Sequence, residues 1–95
     1  MIPGLQSKLS ESVVASADTI YAKSDIVRVT GTTGVNTILS PLMGSSLMII
    51  LIPVDGSVVL GTTGNILVGI TAVINRAVIL VWNKTVGKWY INSGV

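Results

Sequence analysis

Gly31-Thr32-Thr33-Gly34 and Gly61-Thr62-Thr63-Gly64 are the same tetrapeptide, 30 residues apart, and the agreement runs past the turn itself. Sliding the chain on itself by that interval sets the apolar run 47–52 on 77–82 and brings Ile49 onto Ile79. It also sets Val27-Arg28-Val29-Thr30 on Ser57-Val58-Val59-Leu60, and those on Gly87-Lys88-Trp89-Tyr90. Two similar laps of strand, turn and strand read as a short stacked β-module, an architecture that stacks and oligomerises rather than carrying chemistry.

The segments between the repeats support strands. Residues 25–30 alternate, with Ile26 and Arg28 on one face and Val27 and Val29 on the other. Residues 35–39 read as the next strand, ended by Ser40-Pro41 and the Gly44-Ser45-Ser46 loop. Residues 47–54 are apolar with little alternation, as in a strand covered on both faces. Asp55-Gly56 then reads as a type I′ hairpin turn. The second lap repeats the order, with strands at 57–60, 65–70 and 77–82, a loop at 72–76, and a closing strand at 88–91.

Residues 1–24 differ from the rest. They are polar and Ser-rich, and are expected to form an extended arm that orders against a partner. Leu5, Leu9 and Val13 could line one face of a short helix, but Ser10, Ser12, Ser16 and the β-branched Val13-Val14 oppose it. Thr19-Ile20-Tyr21 is the expected first anchor of the folded part. The predicted organisation is therefore an arm, 1–24, and one β-module, 25–95. The expected class is all-β: a compact antiparallel β-sandwich or prism-like module of two laps, with a short triple-stranded β-helix as a further topology.

Composition points to partners. Of 95 residues, 49% are hydrophobic and only 11% charged, and the mean hydropathy is +0.79. A chain of this size buries about 60–65% of its unfolded surface, so it carries more apolar surface than its own core can hide. A membrane helix is disfavoured. The run 47–54 is too short, and Asn75-Arg76 interrupts the run 66–82. Obligate association is the better account, since such interfaces resemble a core cut in half. The net charge of +2 is spread thinly, so nucleic acid is not an expected partner; with its short apolar runs no membrane is expected either, a small membrane-associated protein standing as a third reading. Nothing at the start of the chain reads as a signal peptide.

Little chemistry is on offer. There is no histidine and no cysteine, which removes the commonest general base, the thiol nucleophile and the usual zinc ligands. The acids are Glu11, Asp18, Asp25 and Asp55, with Asp55 read as a turn residue. Gly-Thr-Thr-Gly lacks the Lys-Ser/Thr ending and the helix of a phosphate loop. No catalytic, cofactor-binding or metal residue is predicted, and no enzyme activity is expected. Trp82, Trp89 and Tyr90 could stack on a carbohydrate, although core or interface is the commoner role for such residues.

The run from Asp25 to Ile38, with its Val-Thr-Gly-Thr-Thr, resembles the opening of a small β-module of tailed-phage virion proteins. There an apolar strand follows, ending in an Asp-Gly turn, as at 47–56. The module closes on Gly-Lys-Trp-Tyr or similar, as at 87–90. The resemblance covers about 70 of the 95 residues. It implies a non-catalytic structural protein of the virion, usually a homotrimer. A short chain without shaft repeats points within that group to a capsid decoration, or cement, protein on the outer surface of the head. The implied partners are other copies of the chain and the major capsid protein. The alternative within the group is a receptor-binding tip of a tail fibre or tailspike, which would touch a glycan. On the decoration reading, Ile2, Leu5 and Leu9 of the arm are the expected capsid contacts. Leu47, Ile49, Leu51, Val78, Leu80 and Trp82, or their alternates along the strands, are the expected trimer contacts.

Overall fold

The computed structural model describes residues 10–41, 43–44 and 47–92. Among them the secondary structure is all β, in nine strands: β1 (Glu11–Ala15), β2 (Thr19–Tyr21), β3 (Ile26–Thr30), β4 (Thr37–Leu39), β5 (Leu47–Pro53), β6 (Val58–Leu60), β7 (Ile70–Ala72), β8 (Val78–Asn83) and β9 (Lys88–Asn92). The β-branched residues that dominate these segments suit a pleated, half-buried surface.

Five strands form one sheet in the order β1-β3-β5-β8-β9; β2 with β4, and β6 with β7, form two-stranded sheets. The β1/β3, β3/β5 and β2/β4 pairs are parallel, whereas β5/β8, β8/β9 and β6/β7 are antiparallel. The module is thus all-β as expected, but half its pairings are parallel. The stacking laps are β1–β2 and β3–β4, followed by β5. They do not coincide with the two laps marked by the repeated tetrapeptide: β3 lies in the large sheet, whereas β6, its counterpart by repeat, pairs with β7. The two turns differ locally as well. Gly31 sits at φ 74° with Ser16 Oγ where a Cβ would press, while Gly61 and Gly64 do not take positive φ.

Residues 10–24 are not a separate arm. Glu11–Ala15 lies in register along β3, with Glu11 beside Ile26 and Ala15 beside Thr30, and Thr19–Tyr21 pairs with β4. The Ile26 N–H donates to the Ser10 carbonyl at 3.0 Å. A polar composition is compatible with an edge strand because only one face needs to be apolar, and here Val14 packs on the core while Val13 faces out. Residues 1–9, with Ile2, Leu5 and Leu9, lie outside the described residues.

Asp55-Gly56 is a turn but not a hairpin. Neither residue has positive φ, and β5 pairs with β3 and β8 rather than β6. The Asp55 carboxylate instead accepts the Gly31 N–H at 2.8 Å, tying this turn to the one after β3. Of the expected strand 65–70, Ile66 makes an isolated bridge to Trp89 and Ile70 pairs with Leu60; the strand β7 falls at 70–72, partly where a loop was expected.

The large sheet curls onto the small ones through a backbone ladder at one corner. The Asn36 N–H donates to the Asp18 carbonyl (2.8 Å), Asn65 N–H to Asn36 (3.1 Å), and Trp89 N–H to Asn65 (2.8 Å). Inside lie Ile20, Val27, Val29, Val35, Ile38, Ile49, Leu51, Val58, Leu60, Ile66, Leu80 and Trp89, all at most 2% exposed. No buried side-chain polar atom among the described residues lacks a partner.

Candidate interaction surface

The strands of the large sheet show which residues face inward. In β5, Leu47, Ile49, Leu51 and Pro53 point to the core; in β8, Val78, Leu80 and Trp82 do so. These include all six expected trimer contacts. Leu51 and Leu80 have no exposed surface, and Trp82 keeps 8%. Apart from Leu47, which is half-buried, they are enclosed within the chain, and another copy cannot reach them without opening the fold. Period-2 alternation marked the right strands, and only the enclosure of the core determined which side faced in.

The alternates lie on the outer face and build a broad apolar surface. By register, Ile26 of β3, Ile50 of β5 and Ile79 of β8 stand side by side in one row. Met48, Val81 and Tyr90 form the next row, and Val13, Arg28 and Ile52 the row on the other side. Val13 is 62% exposed, Met48 55%, Val81 and Tyr90 40% each. The isoleucines Ile26, Ile50, Ile52 and Ile79 are half-buried by their neighbours. Charge on this face is sparse, and Arg28 stands within it between Val13 and Ile52. Arg28 Nε lies 3.5 Å from Glu11 Oε2 across the β1/β3 pair, and Lys88 Nζ at the far edge donates to the Gly64 carbonyl at 3.0 Å. An apolar centre with a polar rim is the anatomy of a protein–protein contact.

The indoles are not a carbohydrate platform. Trp89 is fully buried and Trp82 nearly so, with ring centroids 5.3 Å apart at 55°. Each indole N–H is spent inside the fold: Trp82 Nε1 donates to the Met43 carbonyl and Trp89 Nε1 to the Ile38 carbonyl, both at 3.0 Å. Of the three aromatics considered for glycan stacking, only Tyr90 presents its ring outward.

The four acids are dispersed, each with a structural partner. Glu11 pairs with Arg28, and Asp18 Oδ1 accepts from Asn36 Nδ2 at 2.7 Å. Asp25 accepts the Ser10 N–H at 3.4 Å, and Asp55 accepts the Gly31 N–H. Among the described residues no three His, Cys, Asp or Glu side chains come together as a metal site. No helix among them is long and apolar enough to cross a membrane. A cleft of about 160 Å³ lies near the start of β1, lined by Ser10, Ala22, Lys23, Asp25, Ser40 and Leu47 among others. Comparison with protein-family models, with curated proteins and with solved structures finds no match to this chain.

Proposed function

We propose that the protein is a non-catalytic structural component of a tailed-phage virion, a homotrimeric decoration protein that binds the outside of the head and stabilises it. The observation that carries this reading is the outer face of the five-stranded sheet, which leaves Val13, Met48, Val81 and Tyr90 exposed beside half-buried isoleucines. A surface of that kind calls for a macromolecular partner. The resemblance of residues 25–38, 47–56 and 87–90 to the phage β-module supplies the setting.

The mechanism is linkage. A protein that binds the assembled lattice but not free or rearranging subunits stabilises the lattice by mass action. Three linked copies gain avidity over one, provided their geometry allows simultaneous contact. The head contacts on this reading are Ile2, Leu5 and Leu9, which precede β1 and are separate in sequence from the outer sheet face. The tail-tip alternative is weakened by the burial of Trp82 and Trp89, which leaves only the two tyrosines, Tyr21 and Tyr90, exposed for a sugar.

The test is co-sedimentation of the purified chain with assembled heads, together with the melting temperature of the heads. High-copy binding that raises head stability supports the proposal. A chain that ignores heads and binds host-surface glycan overturns it in favour of the tip.

A further inference from the structure

We infer that the outer face of the five-stranded sheet is the self-association surface, where copies of this chain pack sheet face to sheet face around Ile26, Ile50 and Ile79. This rests on the oligomeric reading above and assigns it a place on the molecule.

Area is the first argument. Five strands about 4.8 Å apart, each contributing about five residues at 3.3 Å, present a footprint of about 400 Å² per copy. Two such faces, with their side chains standing above the sheet, bury on the order of 1,000 Å², the lower bound for a specific protein–protein contact. That area is reached only when the polar margins of the five strands are counted with the apolar centre.

Charge is the second. When a face meets its own copy, any net charge on it meets the same charge, and like charges facing each other oppose the contact. The charges on this face are few and compensated within the chain. Arg28 is matched by Glu11 of its own chain, and Lys88 is tied back to Gly64 at the margin. An acidic or basic partner would find nothing to pair with.

Shape is the third. The centre consists of β-branched and unbranched aliphatic side chains in registered rows on β3, β5 and β8. A second twisted sheet can interdigitate with such rows at about 10 Å separation. A lipid-facing surface would instead be expected to carry aromatic belts flanked by cations, and Tyr90 is the single aromatic here.

The experiment measures the mass of the full chain by sedimentation equilibrium for wild type, Ile50→Lys and Val81→Lys. Wild type is expected to self-associate: two such faces packed on each other close a dimer, and the trimer of the proposed function requires three of them turned onto a common axis. Either lysine should raise its dissociation constant by about 100-fold or more, because a charge is then buried without a partner. Circular dichroism should stay native, since both side chains point away from the core. The chain has no cysteine, so Val81→Cys supplies a thiol free of competitors. Its oxidation should link neighbouring copies on a non-reducing gel, a readout that survives if a lysine variant fails to fold. Native association in both lysine variants, no link through Val81→Cys, or a monomeric wild type each overturns the assignment. So does recovery of a monomeric chain on neutral phosphatidylcholine vesicles. Head binding is scored separately: variants that remain oligomeric and still bind heads refute the surface but leave the decoration reading standing.

Discussion

The side chain of Asn65 clasps the backbone of Ile38 from both sides. The Ile38 N–H donates to Asn65 Oδ1 at 2.9 Å, and Asn65 Nδ2 donates to the Ile38 carbonyl at 2.8 Å. A primary amide has the same donor and acceptor as a peptide group, so Asn65 acts as one rung of a strand alongside β4. The Ile38 carbonyl also receives Trp89 Nε1, so one residue of β4 ties together the second Gly-Thr-Thr-Gly turn and the last strand. Replacing Asn65 with Leu keeps the volume but leaves the Ile38 N–H without its partner. The expected loss is about 2–4 kcal/mol, from two hydrogen bonds and one stranded donor. Urea unfolding of N65L against wild type measures it, and a change under about 0.5 kcal/mol would show that the clasp adds nothing.

Ile49 and Ile79 coincide in the 30-residue repeat, yet they should respond oppositely to a charge. Ile49 is 2% exposed in the core, whereas Ile79 is on the outer face. Ile49→Asp should abolish folding, because an unpaired buried carboxylate costs several kcal/mol. Ile79→Asp should fold with native circular dichroism and associate less. Equal behaviour of the two variants would mean that the inward and outward faces of β5 and β8 are misassigned.

Gly64 lies where the chain crosses its neighbour closely. A Cβ there would collide with Thr37 Oγ1 and with the Asn36 backbone carbonyl, while one on Gly44 would meet nothing within 4 Å. Gly64→Ala should therefore lower stability by about 1–3 kcal/mol, the cost typical of overpacking. Gly44→Ala should be close to neutral. Thermal melts of the pair make the comparison, and the ordering matters more than either value.

Deletion from the N-terminus should show two thresholds. Removing residues 1–9 leaves Ser10, whose carbonyl accepts the Ile26 N–H, and all of β1. That variant should fold, and on the decoration reading it should lose head binding. Removing residues 1–24 takes away β1 and β2, with Val14, Ile20 and Ala22 of the core. It should unfold or aggregate through the bared edges of β3 and β4. A stable, soluble product of the longer deletion would show that β1 and β2 are dispensable to the module.

Most strand positions were legible from the chain because each strand had to bury one face, and period-2 alternation records that requirement locally. Residues 26–30, 47–53, 78–83 and 88–92 were all expected as strands within a residue or two. Partner choice was less legible. A parallel pair leaves no turn signature, so nothing near residues 11–15 announces that they lie along β3. The Asp55-Gly56 dipeptide, which promises a hairpin, serves a crossing between sheets. Asn65 carried no signal either, since its role depends on a backbone 27 positions away.

By itself the sequence determined an all-β chain without histidine or cysteine, with 49% of its residues hydrophobic and 11% charged. Those are properties of composition and of short-range periodicity, and they survive any arrangement of the strands. Only the tertiary structure decided which face of β5 and β8 went inward. It turned Leu51, Leu80 and the two tryptophans into core and left Ile50, Val81 and Tyr90 outside. Both faces of β5 and β8 are largely apolar, so burial could favour either. The small sheets cover one side of the large sheet, and the backbone ladder through Asp18, Asn36, Asn65 and Trp89 ties them to β9 there.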